Sequence, residues 1–302
     1  MTQQEQGLKT YPHTYMVQDR SNGEEMARLR LQDAMLTHAM GGVLPEQSDP
    51  TSFRHVIDVG CGTGGWLIEA ATAYPMIKEL AGIDVSKVMV ENARAQAEAA
   101  GVADRVTFRV MDALRMIEFP RHSFDLVNHR LNFSYLRTWE WPGLLQEYQR
   151  IARTGGVIRV TEPSFFVETN SPALNTLYQL GLDAFWNAGH LFTRGSTGVI
   201  DALAGMFHQQ GILDEQTRCI SMDYTANPEL RSSFFEDTRL IFRTIRPFLQ
   251  KWTKFPQDYD QLYKQALDEI QQPDFHAESQ LLTVWGTNTQ INDKIPMVEH
   301  RG

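Results

Sequence analysis

A chain of 302 residues with 42% hydrophobic content has enough apolar material for one elaborated domain or two small ones. Its net charge of −9, with Lys and Arg scattered, argues against nucleic acid as the main partner, because a phosphate backbone calls for basic stripes. Two cysteines, Cys61 and Cys219, exclude a disulfide framework and a cysteine metal cluster, and no apolar run suits export or a membrane span, so the expectation is a cytoplasmic protein with no membrane contact and no metal.

Ser21-Asn-Gly-Glu24 is a capping-box pattern that opens a helix through Met40, ended by Gly41-Gly42, and residues 1–50 read as an N-terminal helical cap. Apolar strands then alternate with helices over residues 51–163, the pattern of a doubly wound, mostly parallel sheet. The strands lie at Val56 to Val59, Leu80 to Asp84, Arg105 to Ala113, Phe124 to Arg130 and Gly155 to Pro163. Helices fall at Gly65 to Tyr74, Ser86 to Ala100 and Trp141 to Ala152. After Pro163 the pattern changes to helices at Ala173 to Ala188 and Gly198 to Gln210, then strands near Thr217 to Tyr224 and Gln280 to Gly286.

Between those last two strands, Phe234, Thr238, Ile241, Ile245, Phe248 and Trp252 recur at spacings of three and four, with Pro247 ending or kinking the helix near Arg246. Tyr259, Leu262, Tyr263, Ala266 and Ile270 form a second stripe. Two amphipathic helices inserted there are expected to cover the open edge of the sheet, so residues 164–302 read as lid helices and closing strands.

The stretch Val56-Ile-Asp-Val-Gly-Cys-Gly-Thr-Gly-Gly-Trp66 sets a strand against a glycine-dense turn and a helix. Such glycines let the main chain approach a ligand closely, and the free N–H groups of the helix start favour a carboxylate or phosphate. Gly60-x-Gly62-x-x-Gly65, with Asp84 about 20 residues on, also satisfies the dinucleotide fingerprint. Asp58, just ahead of the first glycine, would repel a pyrophosphate and instead suits a ligand carrying an ammonium group.

The stretch resembles motif I of the class I S-adenosylmethionine-dependent methyltransferases. The later strand ends, Asp84-Val-Ser86, Met111-Asp112-Ala113, Asn128-His129-Arg130 and Thr161-Glu162-Pro163, follow in that family's order, so the resemblance covers residues 50–163. It implies an α/β, Rossmann-like sheet of seven strands closed by an antiparallel pair, with S-adenosylmethionine as cofactor. Carried onto this chain, the family's cofactor contacts fall on Asp58, Gly60, Cys61, Gly62 and Gly64 in the first turn. Asp84 with Val85 would meet the ribose hydroxyls, Met111, Asp112 and Ala113 the adenine, and Asn128 and Arg130 lie at the fourth strand's loop. N-terminal helices often cover the cofactor in small-molecule members, so Tyr15 and the helix face of Arg28 and Gln32 are expected either to close over the methyl donor or to form a homo-oligomer contact.

A sulfonium methyl is already activated, so the protein must chiefly align the acceptor and exclude water. Where the acceptor must lose a proton, the candidate bases are Glu162, His129 and His190, with Glu162 best placed at the carboxyl end of a strand. Each also admits a structural role, as an ion pair or a hydrogen bond to backbone. Of the 31 aromatic residues, 18 follow residue 162, which favours a small, largely apolar acceptor of the terpenoid, polyketide or aromatic natural-product kind. Carbon, oxygen and nitrogen methylation stay open. So do a nicotinamide-dependent oxidoreductase and a non-catalytic nucleotide-binding assembly protein.

Overall fold

The computed structural model describes residues 23–195 and 197–289; Tyr15 and the capping residue Ser21 lie outside them. Five parallel strands form the heart of the molecule: β1 (His55–Val59), β2 (Glu79–Asp84), β3 (Val106–Val110), β4 (Phe124–Arg130) and β5 (Ala152–Pro163). They run in the order β3-β2-β1-β4-β5, and three more strands complete the sheet: β8 (Ala277–Thr287) lies antiparallel to β5, and β6 (Glu168–Thr169) and β7 (Leu213–Asp223) each pair antiparallel with β8. The seven long strands are those expected, and the two-residue β6 is an addition that pairs with the start of β8.

Continuous apolar runs form the inner strands because both of their faces are covered. Val56, Leu80 and Leu126 pack toward one core, under α2 (Gly65–Ala73) and α3 (Lys87–Ala99). Their neighbours Ile57, Ala81 and Val127 point to the opposite core, which α4 (Trp141–Ile151) and α5 (Pro172–Ala188) help to build. This alternation is the two-residue period of a strand. Each fully buried Ile or Val contributes about 1.5–3 kcal/mol of transfer free energy.

β5 starts earlier than expected, directly after α4. The pairing register with β4 shifts between Phe124 and Leu126, so the pair Gly155-Gly156 forms a bulge inside the strand rather than the turn before it. β8 lies antiparallel to β5 from Val157 to Pro163, and β7 lies antiparallel to β8, so both closing strands extend the same sheet.

α6 (Ile200–Gln209) precedes β7, and the insertion between β7 and β8 holds α7 (Pro228–Thr244), α8 (Arg246–Trp252) and α9 (Tyr259–Ile270). Pro247 does break the long amphipathic run, at the Thr244/Arg246 boundary. The cap helix α1 (Gly23–Met40) packs on α7. Arg28 of α1 meets Asp237 of α7 at 3.2 Å, and Thr244 at the end of α7 donates to Glu25 at 3.4 Å. Cap and insertion therefore form one roof above the carboxyl ends of the parallel strands. No helix among the described residues is long and apolar enough to cross a membrane.

Candidate active site

Strand order reverses on either side of β1, and the crevice outside β1 and β4 is where open α/β sheets hold ligands. The loop after β1 folds over β2, with the N–H groups of Gly60 and Cys61 donating to Ile83 O at 2.8 and 2.9 Å. Gly60 has φ +74°, and a Cβ there would lie 2.5 Å from the Asn132 side chain. Gly64 caps α2 at φ +78°, where a Cβ would lie 2.6 Å from the Phe108 ring. Both positions therefore demand glycine for conformation and for space. A Cβ on Gly62 would meet nothing within 4 Å, since the loop faces a cavity of about 930 Å³.

Three carboxylates line that cavity at the ends of successive strands. Asp58, 4% exposed, receives Asn128 Nδ2 at 2.7 Å, and Asn128 in turn receives Arg159 Nη1 at 2.7 Å. Burial pushes the Asp58 carboxyl up to about 7, against the Asn128 hydrogen bond and the Arg159 charge. An acid held this way gains most from a cationic ligand. Asp84 accepts the N–H groups of Gly62 at 3.1 Å and Ser86 at 2.7 Å, which ties the ends of β1 and β2 together. Asp112 accepts Leu114 N–H at 3.0 Å and pairs with Arg115 at 3.4 Å on the more open side.

Cys61, Val85, Met111 and Ala113 also line the cavity. Burial, with the charges of Asp84 and Asp58, raises the Cys61 thiol well above its ordinary range, so it fills space as a neutral group. Arg130, at the carboxyl end of β4, lines the cavity and pairs with Asp33 of α1, and its Nη1 donates to Thr37 at 2.8 Å. Burial and the Arg159 charge lower Arg130 to about 9, which leaves it charged at neutral pH. Gly64 and Asn128 stand behind the wall, one capping α2 and the other holding Asp58.

Beyond Asn132 the same cavity continues between aromatic rings. Phe133, Phe165 and Phe185 meet at centroid distances of 5.0–6.1 Å, Tyr178 meets Phe242 at 5.4 Å, and Tyr224 stacks on Phe234 at 4.5 Å. Of the eighteen aromatics after residue 162, six line this chamber, while others such as Trp252 and Tyr263 pack the insertion helices as ordinary core.

The three expected bases are not in the cavity wall. Glu162 is fully buried: its Oε1 accepts Asn132 N–H at 2.9 Å, Phe133 N–H at 3.2 Å and His129 Nε2 at 2.7 Å. His129 Nδ1 lies 2.8 Å from Tyr148 Oη, so both ring nitrogens are engaged. His190 Nδ1 contacts the carbonyls of Phe133 and Leu136 at 3.1 and 2.8 Å, and burial lowers that ring to about 4. All three hold the segment after β4 from behind. A strand end faces the crevice as a whole, but side-chain alternation directs Glu162 away from it.

Sequence reasoning missed Asn132, whose Nδ2 donates to Val59 O at 2.5 Å, and Asp237 on α7. Nothing in the local sequence marked Asn132. Asp237 did leave a signal, as a charge set within the apolar stripe of Phe234, Thr238 and Ile241.

Residues 56–156 match the family model described as a methyltransferase domain. The chain is 36% identical to the aklanonic acid methyltransferase of Streptomyces sp. over 42% of its own length and 56% of that protein's, so the match spans about half of that relative. It is 27% identical to the 27-O-demethylrifamycin SV methyltransferase of Amycolatopsis mediterranei over 84% of this chain and 78% of that one. An O-methyltransferase family protein of known structure from Burkholderia thailandensis shares the fold, at TM-score 0.50 and 21% identity over 66% of this chain and 57% of that one. With the strand topology, these matches show that residues 56–156 form a methyltransferase domain set in a Rossmann-like sheet.

Proposed function

We propose that this chain transfers the methyl group of S-adenosylmethionine to a small, largely apolar acceptor of the natural-product type. The observation that carries this reading is the continuity of one cavity, from the glycine loop with Asp58, Asp84 and Asp112 to the aromatic chamber. The donor set fits the cofactor. Asp58, short of a cation, suits the ammonium of the methionyl part, and Asp84 suits two ribose hydroxyls. Asp112 suits the adenine amine, and Arg130 with the start of α2 suits the carboxylate.

When bound, S-adenosylmethionine supplies an electrophilic methyl on a sulfonium. The chain's own task is to orient the acceptor between the rings and to keep water out under the α1–α7 roof. Glu162, His129 and His190 have no part in proton transfer in this scheme, because none of them reaches the cavity. Two relatives whose names specify aklanonic acid and 27-O-demethylrifamycin SV support the natural-product class.

Incubation with methyl-tritiated S-adenosylmethionine and a panel of hydroxylated, amine and alkene acceptors tests the reading. Label should pass to an apolar compound with stoichiometric release of S-adenosylhomocysteine. Binding of the cofactor without transfer to any acceptor would favour the non-catalytic alternative.

A further inference from the structure

The aromatic half of the cavity contains one acid whose chemistry the cofactor does not use. Asp237 sits on the face of α7 that also carries Phe234 and Ile241, and 16% of its side chain is exposed where it lines the cavity. Its Oδ1 receives Arg28 Nη1 at 3.2 Å. That guanidinium is already shared, because Arg28 Nε and Nη2 lie on the two oxygens of Glu25 at 2.8 and 2.9 Å. One cation thus serves two carboxylates, and it engages Glu25 with the better, two-pronged geometry. From the neighbouring elements, Tyr224 has its hydroxyl on Ser279 at 2.8 Å and Tyr178 has its own on Thr238. Among the described residues, only Arg28 is hydrogen-bonded to Asp237.

We propose that Asp237 binds a hydroxyl of the acceptor through Oδ2 and takes its proton during methyl transfer, so that the acceptor is a flat apolar body bearing a phenolic or enolic hydroxyl. The proposal rests on the methyltransferase reading above. A pure hydrocarbon would seal a carboxylate oxygen without a donor, which costs free energy. An ammonium would pair with the Asp237 carboxylate but has no lone pair for the methyl. A hydroxyl meets both requirements. Burial raises the Asp237 carboxyl, against the Arg28 charge, toward the range in which a carboxylate is a useful base. In the balanced step an oxygen lone pair forms the new bond to the methyl carbon as the carbon–sulfur pair returns to sulfur. The hydroxyl proton passes to Asp237 Oδ2 and leaves to water after the methyl ether departs.

The test uses three probes of one shape on the intact chain: 2-naphthol, naphthalene and 2-naphthyltrimethylammonium. Excited 2-naphthol is a strong acid that emits as the naphtholate when a base lies within hydrogen-bond reach, so its fluorescence reports a proton acceptor without turnover. We expect 2-naphthol to bind roughly tenfold or more tightly than naphthalene, since a site built for a hydroxyl rejects the analogue lacking it. Bound 2-naphthol should emit as naphtholate, and Asp237→Asn should lose that emission while S-adenosylhomocysteine affinity stays unchanged. Equal affinity for 2-naphthol and naphthalene, preference for the ammonium probe, or undiminished naphtholate emission in Asp237→Asn would each overturn the proposal. The probe comparison on the parental chain needs no variant. If S-adenosylhomocysteine fails to bind, the methyltransferase reading falls; if only the naphthol results fail, the Asp237 assignment falls alone.

Discussion

Glu162 Oε1 accepts the N–H of Asn132 at 2.9 Å, directly after Leu131, which stands at φ +59°. A leucine in that left-handed region costs about 1–2 kcal/mol. The fold holds it there with Leu131 N–H on Thr161 O at 3.0 Å and with Glu162 bonding the next two amides. The turn so fixed sets Leu131, Asn132 and Phe133 into the cavity wall between the glycine loop and the aromatic chamber.

Glu162→Gln should therefore act on stability. Urea unfolding is expected to show a loss of about 1–3 kcal/mol, the cost of weakening charge-assisted bonds in a buried network. The pH dependence of kcat should keep its shape. Loss of its acidic limb in the Gln variant would restore Glu162 as a base.

Asp58 should make cofactor-product affinity depend on pH. In the folded chain its carboxyl keeps a proton up to about pH 7, whereas an unfolded chain releases it near pH 4. The native state then binds more protons between those values, so this group's contribution to stability falls as pH rises from about 4 to 7. An ammonium ligand prefers the ionised form, so S-adenosylhomocysteine should bind about tenfold more weakly per pH unit below 7. Calorimetry from pH 5.5 to 8 should show this slope in the parental chain and a flat profile in Asp58→Asn. A slope that persists in the variant would assign it to another group.

Asp84→Ala should weaken S-adenosylhomocysteine by about 1.5–3 kcal/mol, because a ribose would lose a charged acceptor. The Gly62 and Ser86 amides lose theirs as well, so the loop itself should loosen. Calorimetry measures the loss directly. Unchanged affinity would remove Asp84 from the cofactor site.

The α1–α7 roof should respond to both ligands. Opening the chamber means parting Arg28 from Asp237, and elements that open draw on the less stable parts of a fold. Amide exchange over residues 228–252 should slow when S-adenosylhomocysteine and an acceptor are bound together. Identical exchange with and without them would make the roof a fixed wall.

The glycine-loop half of the cavity was legible because its residues are local: strand, glycine turn and terminal acid lie close together in sequence, at Asp58 to Gly64, at Asp84 and at Asp112. Element positions were legible for the same reason, down to the break at Pro247. The aromatic half was not, since it depends on contacts between distant segments, such as Arg28 with Asp237 and Asn132 with Val59. Glu162 misled because a strand end says which edge a residue occupies, while the direction of its side chain depends on the parity of the register with β4 and β8. The role of His190, just after α5, was hidden because it depends on a contact with the distant carbonyl of Phe133.

Thermal unfolding with two ligands tests the central claim most directly. S-adenosylhomocysteine at about a hundred times its Kd should stabilise the chain by about 2.7 kcal/mol, a rise in Tm of roughly 4 °C, and NADH at the same concentration should leave Tm unchanged. Stabilisation by NADH with none by S-adenosylhomocysteine would contradict the account and return the glycine loop to a dinucleotide.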